Sequence, residues 1–269
     1  MANNQGKSRY SSLIEAIFLD KYHEGDTVVP FQRDDLVKYS AKLGMPVPKN
    51  IGDVLYSFRY RAKMPDAIVA KAPENKQWVI TGVGSASYVF KLCNMSNVLP
   101  NPAFEEIPIL DNTPEVISVY QLSDEQSLLS RIRYNRLLDI FLGIVTYSMQ
   151  NHLRTQVKGV GQIEIDELYV GVNKKGQHFI IPVEAKVGND MVGVVQLNQD
   201  IAYCKQAFPD LICVPVAVHK MENPNTLCLF HLKMQDEDVK VVDEKHYRLV
   251  YSQEMGRQEL AERNSLIIT

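Results

Sequence analysis

Two runs of alternating side chains on either side of a short polar loop constrain the fold more than any other feature. Apolar and polar residues alternate from Gly161 to Val172, and a largely apolar run extends from Gln177 to Val187. Period-two alternation is typical of β-strands. With Lys174-Lys175-Gly176 as the loop and Gly176 at a positive φ, the pattern predicts a β-hairpin in which Asn173 pairs with Gln177.

This register would place four charged side chains on one face of the hairpin. Asp166 is expected opposite Glu184 and Glu164 opposite Lys186, whereas Glu167 points to the other face. Opposed carboxylates repel each other unless a positive group lies between them. Carboxylate oxygens suit a hard cation, so the pattern predicts a Mg²⁺ site with Lys186 beside it to stabilise developing negative charge.

The same residues resemble the motif of a nuclease superfamily. Asp166, followed after seventeen residues by Glu184-Ala185-Lys186, is similar to the PD-(D/E)xK motif, with Ile165 in place of the proline. The superfamily contains most type II restriction endonucleases and several repair and Holliday-junction nucleases. The resemblance, over residues 120–220, implies a mixed sheet flanked by helices. It also implies that Asp166, Glu184 and the Ala185 carbonyl bind the metal and that Lys186 is catalytic.

Other polar residues are further candidates for this site. Gln199, with Tyr203 one turn later, resembles a glutamine and tyrosine that some branches of the superfamily place beside the metal; a solvated helix face explains them equally well. Many relatives take a ligand from an earlier helix, which makes Glu125 or Asp139 a candidate. The alternative is a surface or hydrogen-bonded carboxylate. Glu164 is a third candidate, and a hairpin with only cross-strand salt bridges is the non-catalytic alternative.

The N-terminal part predicts a different kind of domain. From Ser11 to Leu92 the pattern indicates a helix, a short strand and two more helices, followed by strands at Ile68–Lys71, Gln77–Thr81 and Tyr88–Leu92. The third helix has a buried stripe of Ile51, Val54, Leu55 and Phe58. This order resembles a winged helix, in which the third helix enters the major groove of DNA.

The charge of this segment favours contact with phosphates. Between Lys49 and Leu92 there are seven basic and three acidic residues. The expected DNA contacts lie on the outward face of the third helix and in the following hairpin: Asn50, Ser57, Tyr60, Arg61 and Lys76. The alternatives are a winged helix used for protein contacts and a small domain with a solvated face.

A second basic segment lies before the acidic hairpin. Residues 131–158 carry five basic side chains and one acid. We expect Arg136 and Arg154 to hold phosphates on either side of the scissile bond. Ordinary solvation of the helix surface is the alternative.

The predicted domain organisation follows from these patterns. Residues 1–93 form a winged-helix-like domain, the proline-containing segment 94–114 is a linker, and residues 115–269 form the nuclease domain. Within the latter we expect a long helix over 128–149 with an interruption near Gly143, strands over 211–219, 226–233 and 245–251, and a terminal helix over 253–264.

Composition excludes several classes of protein. A net charge of -3 and 45% hydrophobic residues are typical of a globular chain and argue against a protein that coats nucleic acid through charge alone. The four cysteines lack metal-finger spacing and are expected to be reduced. No apolar signal-peptide core is present, and Ile140–Leu153 is too short to span a bilayer. We therefore expect a cytoplasmic protein without a membrane segment.

Together these patterns predict an α+β, Mg²⁺-dependent endonuclease that cleaves double-stranded DNA. A type II restriction enzyme is the favoured role, acting as a homodimer because two strands require two active sites. A repair, structure-specific or phage-defence nuclease of the same superfamily is one alternative. A non-catalytic winged-helix regulator is the alternative from another class.

Overall fold

A computed structural model describes residues 8–60, 62–95, 98–120, 125–188, 192–223, 225–236 and 238–251, with residues 253, 255, 256, 261, 264 and 265. The chain divides into two compact units. The first comprises Met1–Met95, Thr155–Ile163 and Asp236–Asp238; the second comprises Ser96–Arg154, Glu164–Gln235 and Val239–Thr269. Most of the helix predicted over 253–264 lies outside the described residues.

The first unit combines helices with a small antiparallel sheet. Its elements are α1 (Arg9–Lys21), β1 (Val28–Gln32), α2 (Arg33–Lys42), α3 (Ile51–Tyr60), α4 (Asp66–Val69), β2 (Lys76–Gly84) and β3 (Ser87–Asn94). The strands lie in the order β1-β3-β2. The first three helices, β1 and the β2–β3 hairpin therefore occur in the predicted order.

Local sequence signals account for the ends of these helices. The Ser8 side chain accepts a hydrogen bond from the Ser11 N–H and caps α1. At the start of α2, the Asp35 carboxylate accepts the N–H of Gln32 in a capping box. In α3, Val54, Leu55 and Phe58 are buried, as the apolar stripe predicts, and they pack in the core of this unit.

The strand predicted at Ile68–Lys71 is a helix instead. Pro65 precedes α4, its fixed φ suits a helix start, and Ile68 is fully buried in the core. Short apolar runs do not distinguish a strand from a helical turn, and here the packing of Ile68 decides.

The second unit contains most of a large mixed sheet with helices on both faces; the strand ends at 155–157, 161–163 and 238 are counted with the first unit. Its elements are β4 (Glu106–Leu110), α5 (Glu115–Tyr120), α6 (Glu125–Tyr134), α7 (Leu137–Leu142), β5 (Val145–Val157), β6 (Gly161–Val172), β7 (His178–Lys186), α8 (Val194–Ala207), β8 (Ile212–Cys213), β9 (Val216–Lys220), β10 (Thr226–Gln235) and β11 (Asp238–Val250). The strand order is β4-β11-β10-β9-β7-β6-β5, and β8 pairs with β7. The predicted α+β class is thus confirmed.

Two predicted segments differ from the structure. Residues 128–149 form two short helices and the start of β5 instead of one long helix. The predicted interruption near Gly143 is present, since Gly143 ends α7 with a φ of 64°, and a second one occurs at Arg136, with a φ of 52°. The predicted linker 94–114 contains β4, which pairs in parallel with β11. Pro108 lies within β4 and does not prevent this pairing, because β4 is an edge strand of the sheet and edge strands tolerate proline.

The central strand β7 separates two apolar layers. Ile181, Val183 and Ala185 pack with the residues of α6 and α7 on one face. On the other face, Leu197 of α8 packs with Ala217 of β9. Residues paired across neighbouring strands share a face, and Glu184 pairs with Ala217, so Glu184 belongs to the face that α8 covers.

The β6–β7 hairpin has the predicted register. Glu167 pairs with Val183 and Val172 with His178, and the N–H of Asn173 donates to the carbonyl of Gln177. Gly176 has a φ of 73°, as the loop requires. Within the described part of the chain, every helix is too short or too polar to cross a membrane.

Candidate active site

Asp166 of β6 and Glu184 of β7 lie on adjacent strands, on the face of the sheet that α8 covers. The next step of the observed register after Glu167 and Val183 is Asp166 opposite Glu184. The Asp166 Oδ2 atom accepts the main-chain N–H of Ala185 at 2.9 Å. This hydrogen bond fixes the Asp166 carboxylate against β7.

Glu184 is buried and carries two polar neighbours. Its Oε2 atom lies 3.3 Å from Nζ of Lys186 and also accepts a hydrogen bond from the side-chain amide of Gln196. Lys186 follows Glu184 by two residues on the same face of β7, as the strand period requires. Gln196 comes from the first turns of α8. One strand and one helix therefore meet at the Glu184 carboxylate.

Asp200 is a further acid of this site, and the sequence analysis did not select it. Burial raises the pKa of Asp200, and the nearby Asp166 charge adds to this effect. Burial likewise raises the pKa of Glu184, with further contributions from the charges of Asp200 and Asp166. In their ionised forms, Oε1 of Glu184 and both oxygens of Asp200 are buried and have no hydrogen-bond donor among the residues that the structure describes. A shared proton or a bound cation would remove this deficit.

The ammonium group of Lys186 contacts one of these acids, Glu184. Burial by itself would lower the pKa of Lys186, but the carboxylates of Glu184 and Asp166 outweigh it and raise the pKa. Glu125, at the start of α6, contributes a smaller effect in the same direction. Lys186 therefore remains an ammonium at neutral pH, and Glu125 belongs to its electrostatic environment.

Sheet pairing brings a histidine beside Lys186. His219 of β9 pairs with Lys186, so the two side chains share a face. His219 is buried, and its Nδ1 atom lies 3.0 Å from the carbonyl of Lys220. Within the described part of the chain, no hydrogen-bond partner reaches its Nε2 atom. The sequence analysis missed this residue because parallel pairing of β7 with β9 depends on a connection of some thirty residues, not on a local pattern.

The side of α8 that contacts the site carries Gln196 and not the predicted Gln199. The glutamine that donates to Glu184 is Gln196, whereas the predicted Gln199 is buried on α8 one turn later. Gln196, Asp200 and Cys204 follow each other at intervals of four, which places them on one side of the helix. A signal was present in the sequence: Asp200 follows Gln196 by four residues, so it lies on the same side of the helix as the glutamine that donates to Glu184.

The other candidate acids have separate partners. Glu164 is paired with Arg154 at 3.0 Å. Asp139 is paired with Arg136 and accepts the N–H of Thr146 at 3.0 Å. Asp139 therefore holds the junction between α7 and β5.

Glu167 confirms the predicted division of β6 into two faces. Its side chain is fully buried on the face opposite Asp166, and Arg133 of α6 donates to its Oε1 atom through Nε at 3.0 Å and Nη2 at 2.7 Å. The hydroxyl of Ser148 donates to the same oxygen.

The predicted DNA contacts of the first unit are partly described. Asn50 precedes α3 and is exposed, Ser57 is half-buried within α3, and Lys76 is exposed at the start of β2. Tyr60 ends α3, but its side chain lies outside the described residues, as does all of Arg61. The exposed part of this set is compatible with phosphate contact.

The basic segment 131–158 is not one continuous patch. Arg131 is largely buried and is paired with Asp111. Arg133 is half-buried and is paired with Glu167. Arg136 and Arg154 are the arginines of this segment that are more than half exposed, at 54% and 61% of their side chains. The sequence analysis selected these two arginines for phosphate contact, and each of them is in an ion pair.

The donor set of the site fits a hard divalent cation. Its oxygens come from Asp166, Glu184 and Asp200, and Mg²⁺ prefers carboxylate oxygen and water as ligands. The raised pKa values of Glu184 and Asp200 show that their buried negative charges lack sufficient compensation. The chemistry of these donor atoms is therefore compatible with a hard divalent cation.

Comparison of the chain with protein-family models, with curated proteins and with solved structures finds no match.

Proposed function

We propose that this protein is a Mg²⁺-dependent endonuclease that hydrolyses phosphodiester bonds of double-stranded DNA. The observation that carries the proposal is the cluster of Asp166, Glu184 and Lys186 on one face of the β6–β7 hairpin, completed by Asp200 of α8. Three acids and one lysine in a buried setting are typical of phosphoryl-transfer sites, where charge stabilisation dominates catalysis. The resemblance to PD-(D/E)xK nucleases supports the same reaction.

The proposed ligands of Mg²⁺ are Asp166, Glu184 and the main-chain carbonyl of Ala185, with Asp200 as an additional carboxylate. When bound, the ion would supply Lewis-acid stabilisation of the negative charge that builds on the phosphate. Asp166 is held in position by the Ala185 N–H, and Glu184 by Lys186 and Gln196. These contacts restrict the carboxylates before substrate binds.

Lys186 acts as a cation in this proposal. Because the pKa of Lys186 is raised by Glu184 and Asp166, its ammonium keeps its proton and is not a general base at neutral pH. It donates hydrogen bonds to a non-bridging phosphate oxygen and to the water that attacks phosphorus. Attack forms a bond from the water oxygen to phosphorus and breaks the bond to the 3′ oxygen. The attacking water releases one proton to solvent and the leaving 3′ oxygen takes one up, which leaves a 3′-hydroxyl and a 5′-phosphate.

Duplex DNA is the proposed partner, and the first unit would position it. The element order of that unit and the exposed residues Asn50 and Lys76 support a winged-helix mode of contact. Arg136 and Arg154 of the second unit are available for phosphates if their ion pairs open. A restriction enzyme of this kind would act in the cytoplasm as a homodimer, with one active site for each strand.

Cleavage of a sequenced plasmid with Mg²⁺ tests this proposal. Wild-type protein should produce fragments with 5′-phosphate ends, and Asp166→Asn or Lys186→Met should abolish cleavage while DNA binding persists. Asp210→Asn and Lys174→Met are matched controls, since both residues are exposed in loops, and both variants should cleave normally.

The pattern of products separates the remaining roles. Discrete bands would identify a restriction enzyme, and a smear would identify a repair, structure-specific or defence nuclease with the same chemistry. Intact plasmid bound by the wild-type protein would overturn the nuclease proposal and identify a non-catalytic DNA-binding regulator.

A further inference from the structure

Three side chains with different donor atoms meet on strands β10 and β11 of the second unit. Cys228 lies in β10, and Glu244 and His246 lie two residues apart in β11, on the same face of that strand. Their ligand atoms lie within 4.8 Å of one another. The Glu244 Oε1 atom is 3.6 Å from Cys228 Sγ and 2.8 Å from His246 Nε2. Sulfur, nitrogen and oxygen donors therefore converge on one point.

These spacings are close to those of a tetrahedral metal site. With zinc bonds of about 2.0 Å to nitrogen or oxygen and about 2.3 Å to sulfur, ligand atoms lie roughly 3.3–3.6 Å apart. The Cys228–Glu244 distance already has this value. The His246–Glu244 distance is that of a hydrogen bond and needs to lengthen by only about half an ångström.

The cluster is buried and held by the surrounding chain. Cys228 and His246 are 0% and 1% exposed. The main-chain N–H of Asn101 donates to Oε1 of Glu244 at 2.7 Å, and the ring of Phe104 packs edge-on against that of His246, with centroids 5.9 Å apart. Contacts of this kind fix the orientation of metal ligands in proteins. Two of the three ligands come from one strand, so little rearrangement is needed.

A cavity lies beside two of the three residues. Glu244, His246 and Phe104 line a cavity of about 370 Å³. A water molecule can therefore occupy the fourth position of a tetrahedral ion, as in zinc sites with three protein ligands.

The donor types select the metal. Mg²⁺ and Ca²⁺ avoid thiolate and imidazole, and Cu(I) avoids carboxylate. Zn²⁺ binds cysteine, histidine and glutamate alike. We propose that Cys228, Glu244 and His246 bind one Zn²⁺ ion, with water as the fourth ligand. This site does not depend on the proposed nuclease function, since it shares no residue with the Asp166–Glu184–Lys186 cluster.

Metal content and cobalt spectroscopy of the full chain test the proposal. Purified wild-type protein should contain one Zn²⁺ per chain by mass spectrometry of its metals. After chelation, added Co²⁺ should produce thiolate-to-cobalt charge-transfer absorption and the visible bands of a tetrahedral ion. Cys228→Ser should lose the charge-transfer absorption, and His246→Gln should lose stoichiometric binding.

Matched variants distinguish the site from other thiols and imidazoles. Cys204→Ser removes another buried cysteine, His231→Gln removes a half-buried histidine of β10, and Asp166→Asn changes the proposed Mg²⁺ site; all three should keep the Co²⁺ spectrum. Circular dichroism of Glu244→Gln, which retains a hydrogen-bond acceptor, checks that loss of metal is not loss of fold. Wild-type protein that binds neither Zn²⁺ nor Co²⁺, or a Cys228→Ser variant with an unchanged spectrum, would overturn the proposal and leave a hydrogen-bonded polar cluster.

Discussion

Arg133 donates two hydrogen bonds to one oxygen of Glu167, and this glutamate is completely buried. The contacts measure 3.0 Å from Nε and 2.7 Å from Nη2. The Arg133 side chain is 35% exposed, so only one partner of the pair is removed from water. The pair links α6 to β6 on the face of the sheet opposite Asp166.

Replacement of Arg133 by methionine should destabilise the fold. The change leaves the Glu167 charge buried without its cation, and breaking a buried pair in this way costs about 3 kcal/mol in the free energy of unfolding. Urea denaturation at neutral pH measures the loss. Arg136→Met is the matched control, since Arg136 is 54% exposed in its pair with Asp139, and should cost less than about 1 kcal/mol.

A double variant checks the physical cause. Arg133→Met combined with Glu167→Gln removes both charges and should recover part of the lost stability. If the double variant is as unstable as the sum of the single variants, the charge of Glu167 is not the reason.

Replacement of Asp200 by asparagine should stabilise the protein when divalent cations are absent. Burial raises the pKa of both Asp200 and Glu184, so ionising both at neutral pH costs free energy that a neutral amide avoids. We expect a gain of about 1 kcal/mol by urea denaturation with a chelator present. Asp210→Asn, an exposed substitution, should have no effect, and a loss of stability in Asp200→Asn would contradict the expectation.

With Mg²⁺ added, wild-type protein should become more stable to unfolding than Asp200→Asn. A ligand that binds only the folded state stabilises it by about 2.7 kcal/mol at one hundred times its dissociation constant. Wild-type protein should show such a shift in the midpoint of thermal unfolding. The shift should be smaller for Asp200→Asn and absent for Glu184→Gln.

Asp35 should contribute stability that is lost in acid. Burial would raise the pKa of Asp35, but the hydrogen bond from the Gln32 N–H and the Lys21 ammonium outweigh it and lower the pKa from 3.8. A lowered folded-state pKa means that the contribution is present above 3.8 and disappears as the pH falls through the lowered value.

The matching experiment compares Asp35→Asn with wild type across this range. The wild-type protein should be about 1 kcal/mol more stable at neutral pH, as expected for a capping box, and the difference should vanish in strong acid. Asp34→Asn, at an exposed neighbouring position, should show little difference at any pH. A difference for Asp35→Asn that does not vary with pH would exclude an ionic contribution.

Gly82 should not tolerate a side chain. A Cβ atom at this position of β2 would overlap the main-chain oxygen of Val160, which cannot move as a flexible side chain would. Gly82→Ala should therefore cost about 1–3 kcal/mol. At Gly84 the nearest atom to an added Cβ is 3.9 Å away, so Gly84→Ala should change stability by less than about 1 kcal/mol. Equal effects of the two substitutions in urea denaturation would show that the contact with Val160 is unimportant.

Features that depend on nearby residues were predictable from the sequence. The register of the β6–β7 hairpin follows from side-chain alternation and Gly176, and it correctly places Glu167 on the face opposite Asp166. The apolar stripe of α3 follows from helical periodicity. These signals are contained within one or two elements, and no distant contact competes with them.

The tertiary structure decided which side chains complete the site. Asp200 and Gln196 meet Glu184 because α8 packs on β7 with one particular rotation, and His219 lies beside Lys186 because β9 pairs in parallel with β7. Helix rotation and parallel pairing depend on how the whole core packs. The sequence by itself determined the hairpin that carries Asp166, Glu184 and Lys186, since alternation and a glycine turn act locally. Packing of α8 and β9 determined the rest of their surroundings, since burial free energy is gained only when distant segments meet.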